Sequence, residues 1–186
     1  FSAEWEWLKA RASEDPRIVL IADSLSRDDL LALYGCCDVF LSLHRSEGFG
    51  RGMAEALQLG VDVIATDFGG NTDFCSGPLA HPVRWRRALI PRGSYPFADG
   101  HTWAEPEIDH ARELCLQVAH RRFRNSRSPV DIDPGSDDLV LSNYRKRFSF
   151  DEVGVRYRER LKVIWQDRIY HGEKLRKLAI QNQSEK

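Results

Sequence analysis

The sequence has little cysteine, one methionine and no long hydrophobic run. Its four cysteines (Cys36, Cys37, Cys75 and Cys115) form no CxxC pair, so we expect reduced thiols in a cytoplasmic protein rather than a disulfide framework or a zinc site. No apolar run approaches the roughly 20 residues of a membrane-spanning helix, and no signal-peptide pattern opens the chain. Lys and Arg number 27 against 28 Asp and Glu, which argues against a nucleic-acid partner.

The single methionine, Met53, lies well inside the chain, so we expect the sequence to be a fragment of a longer protein. Its 186 residues suit one ordinary domain with an appendage. With 42% hydrophobic and 30% charged residues, the chain has enough apolar side chains to bury a core.

Short apolar runs alternate with helical patterns in the first 76 residues. Predicted buried strands lie at 18–22, 39–43 and 61–65. Predicted helices lie at 4–14, from the Ser26 cap to about Tyr34, and at roughly 51–59 before Gly60. Strands and helices joined by short glycine-containing turns predict an α/β fold, a Rossmann-like parallel sheet flanked by helices.

The pattern is less regular beyond residue 76. Five prolines and three glycines in 77–106 argue against long helices there, and the role of this segment, which includes Trp103-Ala104-Glu105-Pro106, stays unassigned. We predict a helix at about 106–123, a polar loop at 125–137 and a long C-terminal helix at 150–181.

The most informative segment runs from Ser46 to Leu57, after a predicted strand and into a helix. A helix start presents unpaired backbone N–H groups that favour phosphate, and its glycines let a ligand approach the backbone. In open α/β sheets, ligands bind beyond the carboxyl ends of the strands. From these features alone, phosphate binding and a ligand-free glycine turn stay equally open. The spacing fits neither a Walker loop nor the dinucleotide fingerprint.

Glu47 and Glu55, with seven residues between them in the setting Glu-Gly-Phe-Gly…Glu-Ala, resemble the EX7E motif of the retaining glycosyltransferases of family four. Segments 30–40, 60–71 and 148–157 are also similar to that family, so the resemblance covers about residues 17–165. It implies a two-domain GT-B fold, of which residues 1–186 are the C-terminal, nucleotide-sugar-binding domain without the N-terminal acceptor domain.

The resemblance also implies roles for individual residues. Glu55 would hold the ribose hydroxyls of a nucleotide-sugar, and Glu47 would face the donor sugar as the catalytic residue. The other implied donor-site residues are Gly48, Phe49, Gly50 and Arg51 in the turn, with Ser24 and Leu25 beside the nucleobase.

Two residues near the motif depart from the family pattern, since Leu43-His44, with Arg45 beside it, replaces the usual Pro-Ser. His44 is either a donor-site residue or a strand-end residue with local hydrogen bonds. Arg45 either reaches phosphate or is a solvated charge. We keep both as donor-site candidates. The Arg and Lys by which the family neutralises the diphosphate have no match here, and we expect them upstream.

We therefore predict a retaining glycosyltransferase domain that passes a sugar from a nucleotide-sugar to a glycan, lipid-linked or other acceptor. No cofactor or metal is expected, and the fragment alone is expected to be inactive. The alternatives are a GT-B sugar-nucleotide epimerase and a non-catalytic α/β signalling domain.

Two weaker signals lie outside the motif. Asp131-Ile132-Asp133 is formally an Asp-x-Asp metal motif, but no predicted strand leads into it. Clustered arginines, such as those at 84–92 and 121–127, are usually a solvated face. They leave open a peripheral contact with anionic lipid at the inner membrane surface.

Overall fold

The computed structural model describes residues 2–127 and 134–184 of the chain. The helices are α1 (Ser2–Glu14), α2 (Arg27–Gly35), α3 (Arg51–Gln58), α4 (Ile108–Arg127), α5 (Pro134–Arg147) and α6 (Phe150–Ser184). The strands are β1 (Val39–Ser42), β2 (Asp62–Thr66), β3 (Ala80–Val83), β4 (Trp85–Leu89) and β5 (Thr102–Pro106), and a 3-10 turn spans Gly70–Asp73.

Strands β1, β2 and β3 form a parallel sheet in that order, with Val39 opposite Asp62 and Val63 opposite Ala80. Every residue of the central strand β2 is buried. Alternate side chains therefore enter two cores: Val63 packs with α3 on one face, and Ile64 packs with α4 on the other. The predicted α/β fold with a parallel sheet flanked by helices is confirmed.

The predicted strand at 18–22 is wrong. The segment lies outside every strand of the described chain, and its Val19 side chain is 77% exposed. Within the described residues β1 pairs only with β2, so the apolar run does not pair with the other edge of β1. An apolar β-branched run fits a strand only where a sheet receives it.

The predicted polar loop at 125–137 is wrong at both ends, because α4 continues to Arg127 and α5 begins at Pro134. Its middle part, 128–133, lies outside the described residues. Proline suits the first turn of a helix, where its missing N–H costs no bond. Helix α5 then packs on the first core, where the Tyr144 hydroxyl donates to the carbonyl of Ser76 at 2.6 Å. The Asp131–Asp133 motif lies outside the described residues.

The segment 77–106 contains no long helix, as predicted. After β3 it forms an antiparallel hairpin, β4 with β5, in which Trp85 lies opposite Pro106 and Leu89 opposite Thr102. This hairpin was not among the elements predicted from the sequence.

The long C-terminal helix is confirmed, and it begins where Ser149 Oγ accepts the Glu152 amide at 3.2 Å. Much of the apolar face of α6 is exposed, including Leu161 and Trp165. None of the helices in the described part of the chain is both long and apolar enough to cross a membrane.

Candidate functional site

The loop between β1 and α3 carries the first motif residues, and it ends at Gly50, the residue before the helix. Gly50 has φ +90°, a left-handed conformation that side chains disfavour. A Cβ there would also press on the side chains of Met53 and Asn71. The start of α3 therefore requires glycine at position 50.

Glu47 closes this loop on itself. Its Oε1 atom accepts the amides of Gly50 at 3.1 Å and Phe49 at 3.3 Å. A carboxylate is stabilised at this position because the first amides of a helix carry partial positive charge. A phosphate that used the same two amides would have to displace Glu47 from them.

Glu55 lies in the second turn of α3 and points toward the start of α2 rather than to open solvent. Its side chain is 11% exposed, and Oε1 lies 2.9 Å from Nη1 of Arg27, which is itself 64% exposed. Sequence reasoning missed Arg27. Its position in the first turn of α2, directly after the Ser26 cap, is the one sequence signal that could have indicated it.

The turn after β2 packs against the motif backbone. The Gly70 amide donates to the Glu47 carbonyl at 2.9 Å. A Cβ on Gly69 would come within 2.5 Å of that same carbonyl oxygen, and one on Gly70 would overlap the carbonyl of Gly48. The Gly69-Gly70 pair therefore allows two loops to lie in backbone contact.

His44 has both ring nitrogens engaged within the protein. Nε2 lies 2.9 Å from the carbonyl of Phe68, and Nδ1 lies 3.0 Å from Ser42 Oγ. A carbonyl only accepts, so Nε2 donates to Phe68, and Nδ1 shares a hydrogen bond with the serine hydroxyl. This geometry matches the strand-end alternative for His44.

Arg45 is held by the β4–β5 hairpin. Its Nε and Nη2 donate to the two carboxylate oxygens of Glu105 at 2.7 and 3.0 Å, and its Cζ lies 4.5 Å from the ring centroid of Trp103. The hydrogen bonds raise the pKa of the Arg45 guanidinium and lower that of the Glu105 carboxyl.

Ser24 and Leu25 lie in the exposed segment just before α2. Arg51 is the exposed first residue of α3, and Gly48 is exposed in the preceding loop. Phe49 is half-exposed, and its ring packs on Phe74 with 4.9 Å between centroids. The Phe74 ring is also 5.4 Å from that of Phe148. The motif loop therefore rests on the region where α5 meets α6.

A second carboxylate centre lies at the opposite, amino-terminal edge of the sheet. Asp62 is buried and contacts His81 Nε2 at 2.7 Å, Arg122 Nη2 at 2.7 Å and the Arg121 guanidinium. Burial raises the pKa of Asp62, but the hydrogen bonds from these three side chains outweigh it and bring the value to about 2. Within residues 2–127 and 134–184, no three His, Cys, Asp or Glu side chains are grouped as metal ligands would be.

Residues 8–76 match the model of the family described as "Glycosyl transferases group 1". The matched stretch is less than half of the chain, but it contains both glutamates and the Gly69-Gly70 pair. No curated protein sequence matches the chain.

The match supports a GT-B glycosyltransferase and therefore sugar transfer as the general chemistry. It favours a transferase over the signalling-domain alternative.

Proposed function

We propose that this domain binds a nucleotide-sugar at the carboxyl edge of its sheet and takes part in transfer of the sugar with retention of configuration. One observation carries the proposal: Glu47 and Glu55 belong to the same loop-and-helix unit at that edge. The edge is where open α/β sheets bind ligands. The donor class, the EX7E assignment and the retaining mechanism all rest on the resemblance to family four.

In this proposal Glu55 receives the ribose. A carboxylate has two oxygens that accept hydrogen bonds, which suits a pair of neighbouring hydroxyls. Arg27 holds Oε1 of Glu55 at 2.9 Å, so the carboxylate has a fixed direction before a ligand arrives. Orientation that exists before binding reduces the cost of ordering the site.

Glu47 is proposed to orient the donor sugar rather than to attack it. Two amides hold the carboxylate through Oε1, so its position is set by the backbone of the α3 start. The dipole of α3 would also favour the charge that develops on the departing diphosphate, which in this proposal lies near the helix start without using the two amides that hold Glu47. The proposed chemistry is thus electrostatic stabilisation and positioning, with no cofactor and no metal ion.

The acceptor is proposed to be a glycan or a lipid-linked molecule, bound mainly by an N-terminal domain. Cytoplasmic location and peripheral membrane contact stay predictions. The epimerase alternative differs in product, because an epimerase releases a free, altered sugar-nucleotide whereas a transferase consumes the donor and extends an acceptor.

The test has two parts. Titration calorimetry of this chain with UDP, GDP and ADP asks whether a nucleotide binds, and Glu55→Gln should weaken any binding. The full-length protein is then incubated with sugar-nucleotides and an acceptor pool, and proton NMR identifies the anomeric configuration of the product.

Glu47→Gln should lower turnover more than nucleotide affinity. Glu113→Gln, an exposed glutamate of α4, is the matched control and should change neither quantity. An inverted product, a free epimer, or equal and small effects of both motif variants would contradict the proposal.

A further inference from the structure

The β4–β5 hairpin lies beyond the matched residues 8–76, yet it contacts both loops that form the candidate site. Only Arg84 separates β3 from β4, so the hairpin begins at the carboxyl edge of the sheet. Its strands contribute Trp85, Trp103 and Glu105 to contacts with these loops.

The first loop is held through Arg45, two residues before Glu47. Glu105 engages the guanidinium edge through two hydrogen bonds, while Trp103 lies against its face. The backbone takes part as well, because the Ala104 amide donates to the Arg45 carbonyl at 3.1 Å. A bidentate carboxylate and an aromatic face together restrict an arginine to one orientation.

The second loop, which follows β2, is held through Trp85. The indole Nε1 donates to the carbonyl of Asp67 at 2.7 Å, and the ring lies 4.8 Å from that of Phe68. The two loops in turn bind each other, through His44 to the Phe68 carbonyl and through the Gly70 amide to Glu47. The hairpin and the two loops therefore form one connected set of contacts.

We propose that the β4–β5 hairpin fixes the position of the Glu47 loop, and that Arg45 is the positioning residue through which it acts. The regular pairing of β1 ends at Ser42, so the sheet does not fix the residues that follow. The contacts with the hairpin restrain the Glu47 loop instead. The proposal rests on the function proposed above only where it concerns turnover. The restraint of the Glu47 loop by the hairpin is a property of this chain and does not depend on that function.

The free energy of unfolding should change little when the Arg45–Glu105 contact is removed, because Arg45 is 50% exposed and such ion pairs contribute little to folding. The variants should therefore fold, and the effect on the Glu47 loop is best measured by amide hydrogen exchange in that loop. A matched control lies two residues along the chain, where Glu107 pairs with Arg84 at 2.9 Å and touches neither loop through its carboxylate.

The first experiment compares Glu105→Gln with Glu107→Gln in this chain by amide hydrogen exchange. We expect Glu105→Gln to speed exchange in peptides covering 44–50 by about two- to fivefold, since losing an exposed ion pair worth up to about 1 kcal/mol changes the open fraction of the loop by that factor. Glu107→Gln should leave these peptides unchanged. Equal exchange in both variants and the parent chain would overturn the proposal.

The second experiment measures kinetics in the full-length protein. Arg45→Ala and Glu105→Gln should each lower kcat by about ten- to a hundredfold, the usual cost of a small misplacement, with donor KM within about twofold. The charge exchange Arg45→Glu with Glu105→Arg should restore part of kcat, which a purely local packing effect would not do.

Two outcomes separate the alternatives. If Arg45→Ala raises the nucleotide Kd while Glu105→Gln does not, Arg45 is a phosphate ligand and the positioning role is overturned. If the parent protein transfers no sugar but hydrogen exchange in 44–50 responds to Glu105→Gln, the proposal that the hairpin positions the Glu47 loop is supported, and the proposed function fails instead.

Discussion

The two edges of the parallel sheet use carboxylates in opposite ways. At the amino edge, Asp62 is buried and surrounded by His81, Arg121 and Arg122. At the carboxyl edge, Glu47 and Glu55 are only partly buried and lie beside glycine-rich turns. A fully enclosed and compensated carboxylate holds elements together, whereas a partly buried one on a loop or helix start keeps access to a ligand. The following predictions test this difference.

The largest effect is expected from Asp62→Ala. It removes the buried carboxylate that Arg121 and Arg122 share, but those two side chains are 41% and 35% exposed and can be hydrated, so we expect a cost of about 2–4 kcal/mol. Urea unfolding followed by circular dichroism should show this loss in the free energy of unfolding. Asp38, which pairs with Arg122 at 3.5 Å but is 79% exposed, is the control, and Asp38→Ala should cost less than about 0.5 kcal/mol. Similar costs for both would break the comparison.

Gly70→Ala should come next. A Cβ at this position overlaps the Gly48 carbonyl, so the loops must separate at a cost of about 1–3 kcal/mol. Thermal unfolding measures the cost. The control is Gly35→Ala, where a Cβ meets nothing within 4 Å and φ is not positive, as at Gly70. If that variant loses as much stability as Gly70→Ala, contact between the two loops does not explain the loss.

Acid should remove the Asp62 contribution. The pKa of Asp62 is lowered from 3.8 to about 2 in the folded chain, so its stabilisation is present above pH 3.8 and is lost as pH falls through about 2. The shift corresponds to about 2 kcal/mol. The difference in unfolding free energy between the parent and Asp62→Asn should therefore narrow between pH 5 and pH 2. A constant difference would show that the Asp62 charge does not stabilise the fold.

The smallest effect is expected from Arg27→Gln. Arg27 is largely exposed, so its pair with Glu55 is worth less than about 1 kcal/mol, and nucleotide affinity should fall about two- to fivefold. Calorimetry measures this change. Arg17→Gln, which breaks the exposed pair with Asp15, is the control. A tenfold or larger loss from Arg27→Gln would instead indicate that Arg27 contacts the nucleotide directly.

Local signals predicted much of the fold. Gly60 ends α3 and has φ +82°, and Ser26 caps α2 by accepting the Asp29 amide at 3.1 Å. Such caps are decided by neighbouring residues. The prediction of a strand at 18–22 was wrong because an apolar run forms a strand only when it pairs with a neighbour. The residues of the run do not show whether that pairing occurs.

The candidate site was predictable in its residues but not in its contacts. Glu47 and Glu55 follow from spacing and resemblance, whereas Arg27 lies 28 positions from Glu55 and Glu105 lies 60 from Arg45. Pairs so distant in sequence form only after the elements pack. The β4–β5 hairpin was not predicted for a similar reason, since the prolines of 77–106 exclude long helices but do not indicate which strands pair.

The ring contacts of Phe148 link the start of the long last helix to the motif loop. Thirty-five residues of α6 extend about 52 Å at the helical rise, and beside their first turn the Phe148 ring lies 6.2 Å from Phe49. Phe148 lies two residues before α6 and contacts the motif loop through Phe49. A displacement of the start of α6 would therefore be passed to Phe49, which is two residues from Glu47.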